Sequence, residues 1–550
     1  MASIDAAKDY GSDHMPSPLP RSETDVSHNY SLLDYYGMDG FDVHDQGSET
    51  SYVKVSKDVP LSKNEGDGAI FPPPVEVTGS EEPPALQPPT DSKQASSALL
   101  SYKPVVSEID KKSILHSDYD MYGFKKDSSF FDSSKKQYNE WFGEYADQLV
   151  QQKKKWKVLL KNNGLGYSTG LPSRFPPKSD KAKKLVRKGI PPEWRGEAWF
   201  FYAGGLERLH KNVGVYEKIV ADTDGVTNKD TEVIERDLNR TFPDNIHFNS
   251  SILSDEKIET EKIKSLRRVL VAFAHYQPQI GYCQSLNFLA GLLLLFMNEE
   301  RSFWMLVIMT ERILPKVHSA NLEGVHTDQG VLMLCVKEYI PRLWQIIGKN
   351  FEGAVLSDDK ILTRLPPVTL VTSSWFMSVF IGVLPIESVL RIWDILWYEG
   401  SKTIFRISLT IFRLCLDHPQ FSNEEKKQSD SSESEQIELF QFMQSFPKSI
   451  TDPNLLVDKC FKKIGGYGFG FLSQDEINKC REFVAQQRSK LRNKALVTAE
   501  MSDMEREALK IPETPEIHDV YGFHKSVMNG VAWNKHLSSK MKSKFRKHKP

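Results

Sequence analysis

Residues 263–297, which read IKSLRRVLVAFAHYQPQIGYCQSLNFLAGLLLLFM, decide the fold class. The first half predicts an amphipathic helix, because apolar residues recur there close to the helical period of 3.6: Ile263, Leu266, Leu270, Phe273 and Tyr276. The second half, from Leu286 to Met297, is apolar on every side, which indicates a central helix covered by other helices. This run is shorter than the roughly 18 to 20 residues that cross a bilayer.

The same helical pattern continues on the C-terminal side of this stretch. A second stripe predicts another core-facing helix: Ile386, Val389, Leu390, Trp393, Leu396 and Trp397. Residues 303–313 are again apolar nearly all round. We find no series of alternating strands with regular turns and no alternation of strand and helix patterns. The sequence therefore predicts an all-α, multi-helical domain from Gly189 to about Arg488.

The N-terminal flank has a different composition from this domain. Residues 1–100 contain 17 Asp and Glu, 6 Lys and Arg and 11 prolines, with few large apolar residues. Such a segment buries too little apolar surface to offset the entropy of ordering, so we expect residues 1–100 to be an acidic, Pro-rich disordered region. Residues 101–184, rich in aromatic and basic side chains, are predicted to form a linker region.

Two further segments are predicted to lie outside the helical core. The polar acidic stretch 423–438 is expected to be a loop between helices. Residues 486–550 form a C-terminal extension whose basic tail, 535–550, carries seven Lys and Arg and no acid. The tail suits either contact with an anionic membrane or a disordered solubilising segment.

Composition and motifs exclude several functional classes. The net charge of −2 excludes a uniformly basic nucleic-acid coat, and no nucleic-acid partner is expected. The five cysteines are too sparse for a disulfide framework and lack zinc-ligand spacing, which indicates a reducing compartment. The N-terminus has no apolar signal-peptide core, so we expect a cytoplasmic protein without a transmembrane helix. We predict no metal or cofactor site, because no phosphate-loop, metalloprotease or kinase signature is present.

Polar residues embedded in apolar helices are the candidates for function. Residues 234–243 read IERDLNRTFP and predict a short helix that ends at Pro243, with Ile234 inward and Asp237 one turn from Arg240. This spacing lets Asp237 steady Arg240 at the helix exit. Gln284 lies just before the apolar run 286–297. An amide at this position is not expected to be a core residue.

These residues resemble the TBC domain of Rab GTPase-activating proteins. The resemblance covers roughly residues 185–485 and rests on three patterns in order: Arg195-x-x-x-Trp199, Ile234-x-x-Asp237-x-x-Arg240 and Tyr282-x-Gln284. Each pattern is weak alone, whereas the three in order are specific. Ser285 and Leu286 depart from the Gly-Met that follows the glutamine in many relatives.

The resemblance implies that Arg240 and Gln284 enter the active site of a GTP-bound Rab as an arginine finger and a glutamine finger. Asp237, Tyr282, Arg195, Trp199 and Ile234 would then be supporting residues. The chain would activate a GTPase rather than hydrolyse GTP itself, and GTP and Mg²⁺ would come with the Rab. Residues 174–177 and 281–297 resemble the fungal subgroup linked to exocytic Rabs, which implies adaptors and a peripheral location at sites of secretion or polarised growth.

Two rival functions and two ambiguous patterns remain open at this point. A noncatalytic TBC-like scaffold would hold a GTPase or polarity factor without accelerating it. A lipid-binding helical protein would use residues 153–188, which contain 12 Lys and Arg and a single acidic residue. Such a run is also typical of a solvated face. The sequence DMYGF at 120–124 recurs as DVYGF at 519–523. The repeat has three possible explanations: chance, two similar turns, or a short motif that binds a partner.

Overall fold

The described residues of the computed structural model form an assembly of helices. They are 105–106, 109–126, 134–166, 171–249, 259–348, 365–419, 432–462 and 468–500. Within these ranges there are isolated bridges but no β-strand, so the predicted all-α class is confirmed. The α-helices are α1 Lys111–His116, α2 Lys135–Asn162, α3 Asp180–Arg187, α4 Arg195–Tyr202, α5 Gly205–Lys211, α6 Val215–Asp222, α7 Lys229–Leu238, α8 Glu261–Tyr276, α9 Leu286–Phe296, α10 Glu299–Ile308, α11 Glu323–Tyr339, α12 Pro341–Ile347, α13 Thr369–Met377, α14 Ile386–Glu399, α15 Lys402–Asp417, α16 Ser432–Ser445, α17 Pro453–Phe461 and α18 Gln474–Glu500.

The stretch that predicted the fold class forms the centre of the N-terminal half. Helix α8 buries the expected stripe and packs against both α9 and α10. Helix α9 is buried on every side except at Phe288, because other helices cover it. Each fully buried Leu contributes about 1.5–3 kcal/mol relative to exposure, so this hairpin is a main source of stability.

Helix α14 organises the second half of the core. Its predicted stripe is buried, and the helix packs against α3, α4, α15 and α17. Helix α11 in turn contacts α13, α15 and α18. Elements distant in sequence therefore meet on α14, and this places the Arg195 region beside Asp394.

The structure corrects the prediction that residues 101–184 are a linker. Helix α2 is continuous over 28 residues and buries Phe142, Tyr145 and Trp156 in the core. The indole of Trp156 donates a 2.9 Å hydrogen bond to the carbonyl of Gly189. The sequence was misleading because the aromatic residues line one face of α2 while numerous lysines occupy the other.

Two predicted boundaries also change. Helix α16 begins at Ser432, so the second half of the predicted loop 423–438 is helical. Leu439 and Met443 are buried one turn apart in this helix. Helix α18 runs through the predicted boundary at 485. The predictions for residues 1–100, the basic tail and the second DVYGF copy lie outside the described residues.

Candidate functional site

The candidate site begins where α7 ends. The helix starts at an Asn228–Thr231 capping box and stops at Leu238, which is earlier than the predicted end at Pro243. Arg240 therefore lies in the turn beyond the helix, where its backbone N–H donates to the carbonyl of Asp237. Its side chain is 48% exposed and forms an ion pair with the Asp237 carboxylate.

The buried carboxylate of Asp237 joins the two candidate loops. Only 2% of its side chain is exposed, and it accepts hydrogen bonds from the Arg240 guanidinium and from the hydroxyl of Tyr282, the latter at 2.7 Å. Burial, followed by the neighbouring Asp237 carboxylate, raises the pKa of Tyr282 above its ordinary value. The phenol therefore stays protonated and keeps its hydrogen bond at physiological pH.

Gln284 lies in the turn that leads into α9. Ser285 adopts a left-handed backbone with φ of 83° and precedes the first helical residue. Its hydroxyl donates a 3.1 Å hydrogen bond to the carbonyl of Met377, which fixes the turn against α13. The Gln284 side chain is partly exposed and makes no hydrogen bond with a described residue, so its amide can bind a partner.

A second link between the loops was missed from the sequence. Asn287, in the first turn of α9, donates a 2.8 Å hydrogen bond to the hydroxyl of Thr241, which in turn donates at 2.8 Å to the carbonyl of Asp237. Both side chains are buried. Asn287 is the one polar residue between Leu286 and Phe296, and this isolated amide was the signal that could have revealed it.

The chain after Arg240 takes a constrained path. Phe242 has a positive φ of 51° and packs edge-on against Phe124 and Phe248. A Cβ at Gly291 of α9 would lie 3.0 Å from both Thr241 and Phe242. The glycine therefore allows α9 to approach the Arg240 loop closely.

Arg195 and Trp199 of the first motif form a buried hydrogen-bond network with Asp394 of α14, which we call the brace. The Asp394 carboxylate accepts hydrogen bonds from Arg195 Nε at 3.3 Å, Trp199 Nε1 at 2.8 Å and the backbone N–H of Ile190 at 3.0 Å. Burial raises the pKa of Asp394, and the nearby Arg195 charge opposes that rise. Arg195 and Trp199 are fully buried and touch the fold rather than solvent, and Ile234 is likewise a core residue.

This brace also supports the far end of α9. Trp199 packs on Phe296 with ring centroids 4.8 Å apart. A Cβ at Gly196 would lie 2.1 Å from the Phe296 carbonyl oxygen, so only glycine fits there. The Arg195 motif thus holds the helix that follows Gln284, without reaching the candidate site itself.

The described residues offer little for other kinds of chemistry. They contain no group of three or more His, Cys, Asp or Glu residues that could hold a metal ion. Burial raises the pKa of Cys283 to about 12, so its thiol is protonated at neutral pH and is a poor nucleophile. Among these residues, no helix is both long and apolar enough to cross a membrane. The arrangement is suited to presenting a guanidinium and an amide to another molecule.

Comparison with known proteins identifies related chains. The family model of the Rab-GTPase-TBC domain matches residues 192–421. The Saccharomyces cerevisiae protein named GTPase-activating protein GYP3 is 44% identical over 486 residues, which cover 79% of this chain and 76% of that protein. GTPase-activating protein MSB4 of the same yeast is 43% identical over 412 residues, covering 68% and 82%. The crystal structure of the Chlamydomonas flagellar RabGAP TBC domain is 22% identical with a TM-score of 0.44, covering 62% of this chain and 98% of that one.

Proposed function

The chain belongs to the family of Rab GTPase-activating proteins that share the TBC domain, and on that premise we propose that it accelerates GTP hydrolysis by Rab-family GTPases through Arg240 and Gln284. The observation that carries this proposal is the connection between the two loops. Asp237 binds Arg240 on one loop and Tyr282 of the other, two residues before Gln284. A half-exposed guanidinium, and an amide without a hydrogen bond to a described residue, are thus presented beside buried supporting groups.

Arg240 supplies positive charge to the transferring phosphoryl group. Phosphoryl transfer needs little covalent help from protein, but it needs charge on the phosphate oxygens to be neutralised. A guanidinium has five N–H donors in a fixed plane, and Asp237 accepts from only one of its nitrogens. The remaining donors are available to phosphate oxygens while Asp237 limits the rotamers of the side chain.

Gln284 orients the attacking water. Its amide both accepts and donates hydrogen bonds, so it can align a water molecule and bind a backbone group of the GTPase. The left-handed Ser285 and the buried first turn of α9 hold the residue at the edge of the fold. GTP and Mg²⁺ are bound by the partner, and this chain contributes residues in trans without a cofactor of its own.

The cellular role that fits this activity is control of vesicle traffic. The resemblance of residues 174–177 and 281–297 to the fungal exocytic subgroup supports an exocytic Rab and a role in polarised growth. It also supports exocytic or polarity adaptors and a cytoplasmic protein that acts peripherally at sites of secretion. Contact of the basic tail, residues 535–550, with an anionic membrane is part of the same proposal.

The test is single-turnover GTP hydrolysis by a panel of Rab proteins with catalytic amounts of the full chain. We expect one or a few Rabs to respond, and Arg240→Ala and Gln284→Ala to remove the response. Arg236→Ala is the matched control, because Arg236 is an exposed arginine on α7 outside the Asp237 network. Binding of GTP-loaded Rab without any acceleration would instead support the scaffold.

A further inference from the structure

A groove with a basic rim lies between α2 and α3, among residues to which the proposed function assigns no role. Its volume is about 420 Å³, within the range of ligand pockets and too small for a folded domain. Its apolar lining comprises Val158, Leu159 and Leu185. Four lysines flank it from both helices: Lys154, Lys155, Lys181 and Lys184.

The lysines of this region divide into two sets. Lys153 forms an ion pair with the buried Glu193, and Lys183 approaches Glu399 at 4.0 Å. These two anchor α2 and α3 to the core. The four lysines of the groove are exposed and form no ion pair with a described residue. Their charges are therefore available to a ligand.

The apolar lining of the groove adds a hydrophobic contact to the positive charge of its lysines. Val158 is 58% exposed, while Leu159 in the same groove is buried. Covering an exposed valine is favourable, because it removes apolar surface from water. A ligand that places an apolar side chain against Val158 and carboxylates beside the lysines would satisfy both features.

We infer that this groove binds a short acidic peptide segment of a partner protein, with an apolar side chain as its anchor. A helical or extended segment can lie between α2 and α3 with carboxylates toward both rows of lysines. The groove is also lined by Leu159, which is buried, and a single peptide side chain reaches it more readily than a flat bilayer surface does. The groove contains no arginine for bidentate phosphate contacts and no aromatic ring for base stacking, which argues against a nucleic acid.

The experiment measures binding of a dye-labelled acidic peptide, with a central leucine pair flanked by glutamates, to the full chain by fluorescence anisotropy. Lys154→Gln combined with Lys184→Gln should weaken binding about tenfold, since each exposed charge pair contributes modestly. Val158→Asp should abolish binding. A peptide with glutamines in place of the glutamates should not bind, and added salt should weaken the acidic peptide.

Lys157→Gln combined with Lys161→Gln is the matched control. Both lysines are exposed on α2 but lie outside the groove, so this variant should bind the peptide normally. Equal loss in the control would overturn the inference, because it would show nonspecific attraction to a basic surface. All variants should retain Rab activation, which verifies folding and separates this inference from the proposed function.

Other occupants are distinguished in the same series. If anionic phospholipid vesicles bound through Lys154 and Lys184 and the peptide did not bind, the inference of a peptide would be wrong and the groove would be a membrane contact. Zero-length carbodiimide coupling of the chain alone, read by mass spectrometry, tests occupants supplied by the protein itself. Coupling of these lysines to carboxylates of the same chain or of a second copy would contradict the inference that a partner protein occupies the groove.

Discussion

The side-chain amide of Asn287 donates a 2.8 Å hydrogen bond to the hydroxyl of Thr241 and so joins the residue after Arg240 to the helix after Gln284. Thr241→Val removes this hydroxyl with little change of shape and leaves a buried amide without its acceptor. We expect single-turnover GTP hydrolysis to slow about ten- to a hundredfold, because small displacements of catalytic groups cost that much.

Binding of GTP-loaded Rab should change little in Thr241→Val, since the exposed surface is preserved. Thr241→Ser keeps the hydroxyl and is the matched control, with activity close to that of the original chain. If Thr241→Val lost stability but kept its full rate, the Asn287–Thr241 bond would support only the fold.

The chemistry of Arg240 predicts that charge alone is insufficient. Arg240→Lys keeps a positive charge but loses the planar fork that contacts several oxygens. An arginine finger accounts for about 10³ to 10⁵ in rate, and we expect Arg240→Lys to be nearly as inactive as Arg240→Ala. The measurement is single-turnover hydrolysis with saturating activator. A lysine variant of near-normal rate would show that Arg240 is not the finger.

The Tyr282 hydroxyl is predicted to control how tightly Asp237 holds Arg240. In Tyr282→Phe the buried carboxylate loses its 2.7 Å hydrogen bond and keeps only the arginine. Arg240 is then held more strongly by its own chain, and we expect slower hydrolysis together with about 1.5–3 kcal/mol less stability. Tyr276→Phe is the control, because the Tyr276 hydroxyl bonds to no described residue. Equal rates in the two variants would contradict this coupling.

The Arg195–Asp394 pair is predicted to act on stability rather than on catalysis. Arg195→Met leaves a buried carboxylate without its cation and should cost about 3–5 kcal/mol in the free energy of unfolding. Adding Asp394→Leu should not restore stability, because Trp199 Nε1 and the Ile190 N–H then lose their acceptor. Chemical denaturation measures both variants, and full recovery in the double variant would contradict this account.

The elements that were predicted well from the sequence are those whose signal is local. The stripe from Ile263 to Tyr276 appears as α8, and the apolar run at 286–297 appears as α9 one residue shorter. Both depend on helical period and burial, which are visible within a few turns of sequence. The predicted link between Asp237 and Arg240 was also local, since the two residues are three apart.

The features that could not be predicted depend on contacts between distant residues. Nothing near Thr241 shows that Asn287 reaches it, because their meeting depends on how α9 packs against the turn after α7. Asp394 stands about 200 positions from Arg195, and the pattern alone did not show that the two pair. Helix α2 was taken for a linker because its surface charge obscured the face that carries Trp156.

Asp120, in the first DMYGF copy, is predicted to make stability depend on pH. Its buried carboxyl accepts 2.8 Å hydrogen bonds from the N–H groups of Tyr122 and Phe124 at one oxygen. Burial raises its pKa to about 7, with Glu387 adding to the rise and both hydrogen bonds and Lys126 opposing it. Because the folded pKa exceeds the unfolded one, this group's contribution to stability is complete below about pH 4 and is lost as pH rises to about 7.

Asp120→Asn keeps an acceptor for the two N–H groups and removes the titration. Its free energy of unfolding should therefore rise relative to the original chain by about 1.4 kcal/mol per pH unit between about pH 4 and 7, and stay level above that range. The buried His318, whose pKa burial lowers to about 4, destabilises both chains equally on acidification and cancels in the difference. Urea unfolding at several pH values measures it, and a difference that does not change with pH would show that Asp120 is ionised throughout.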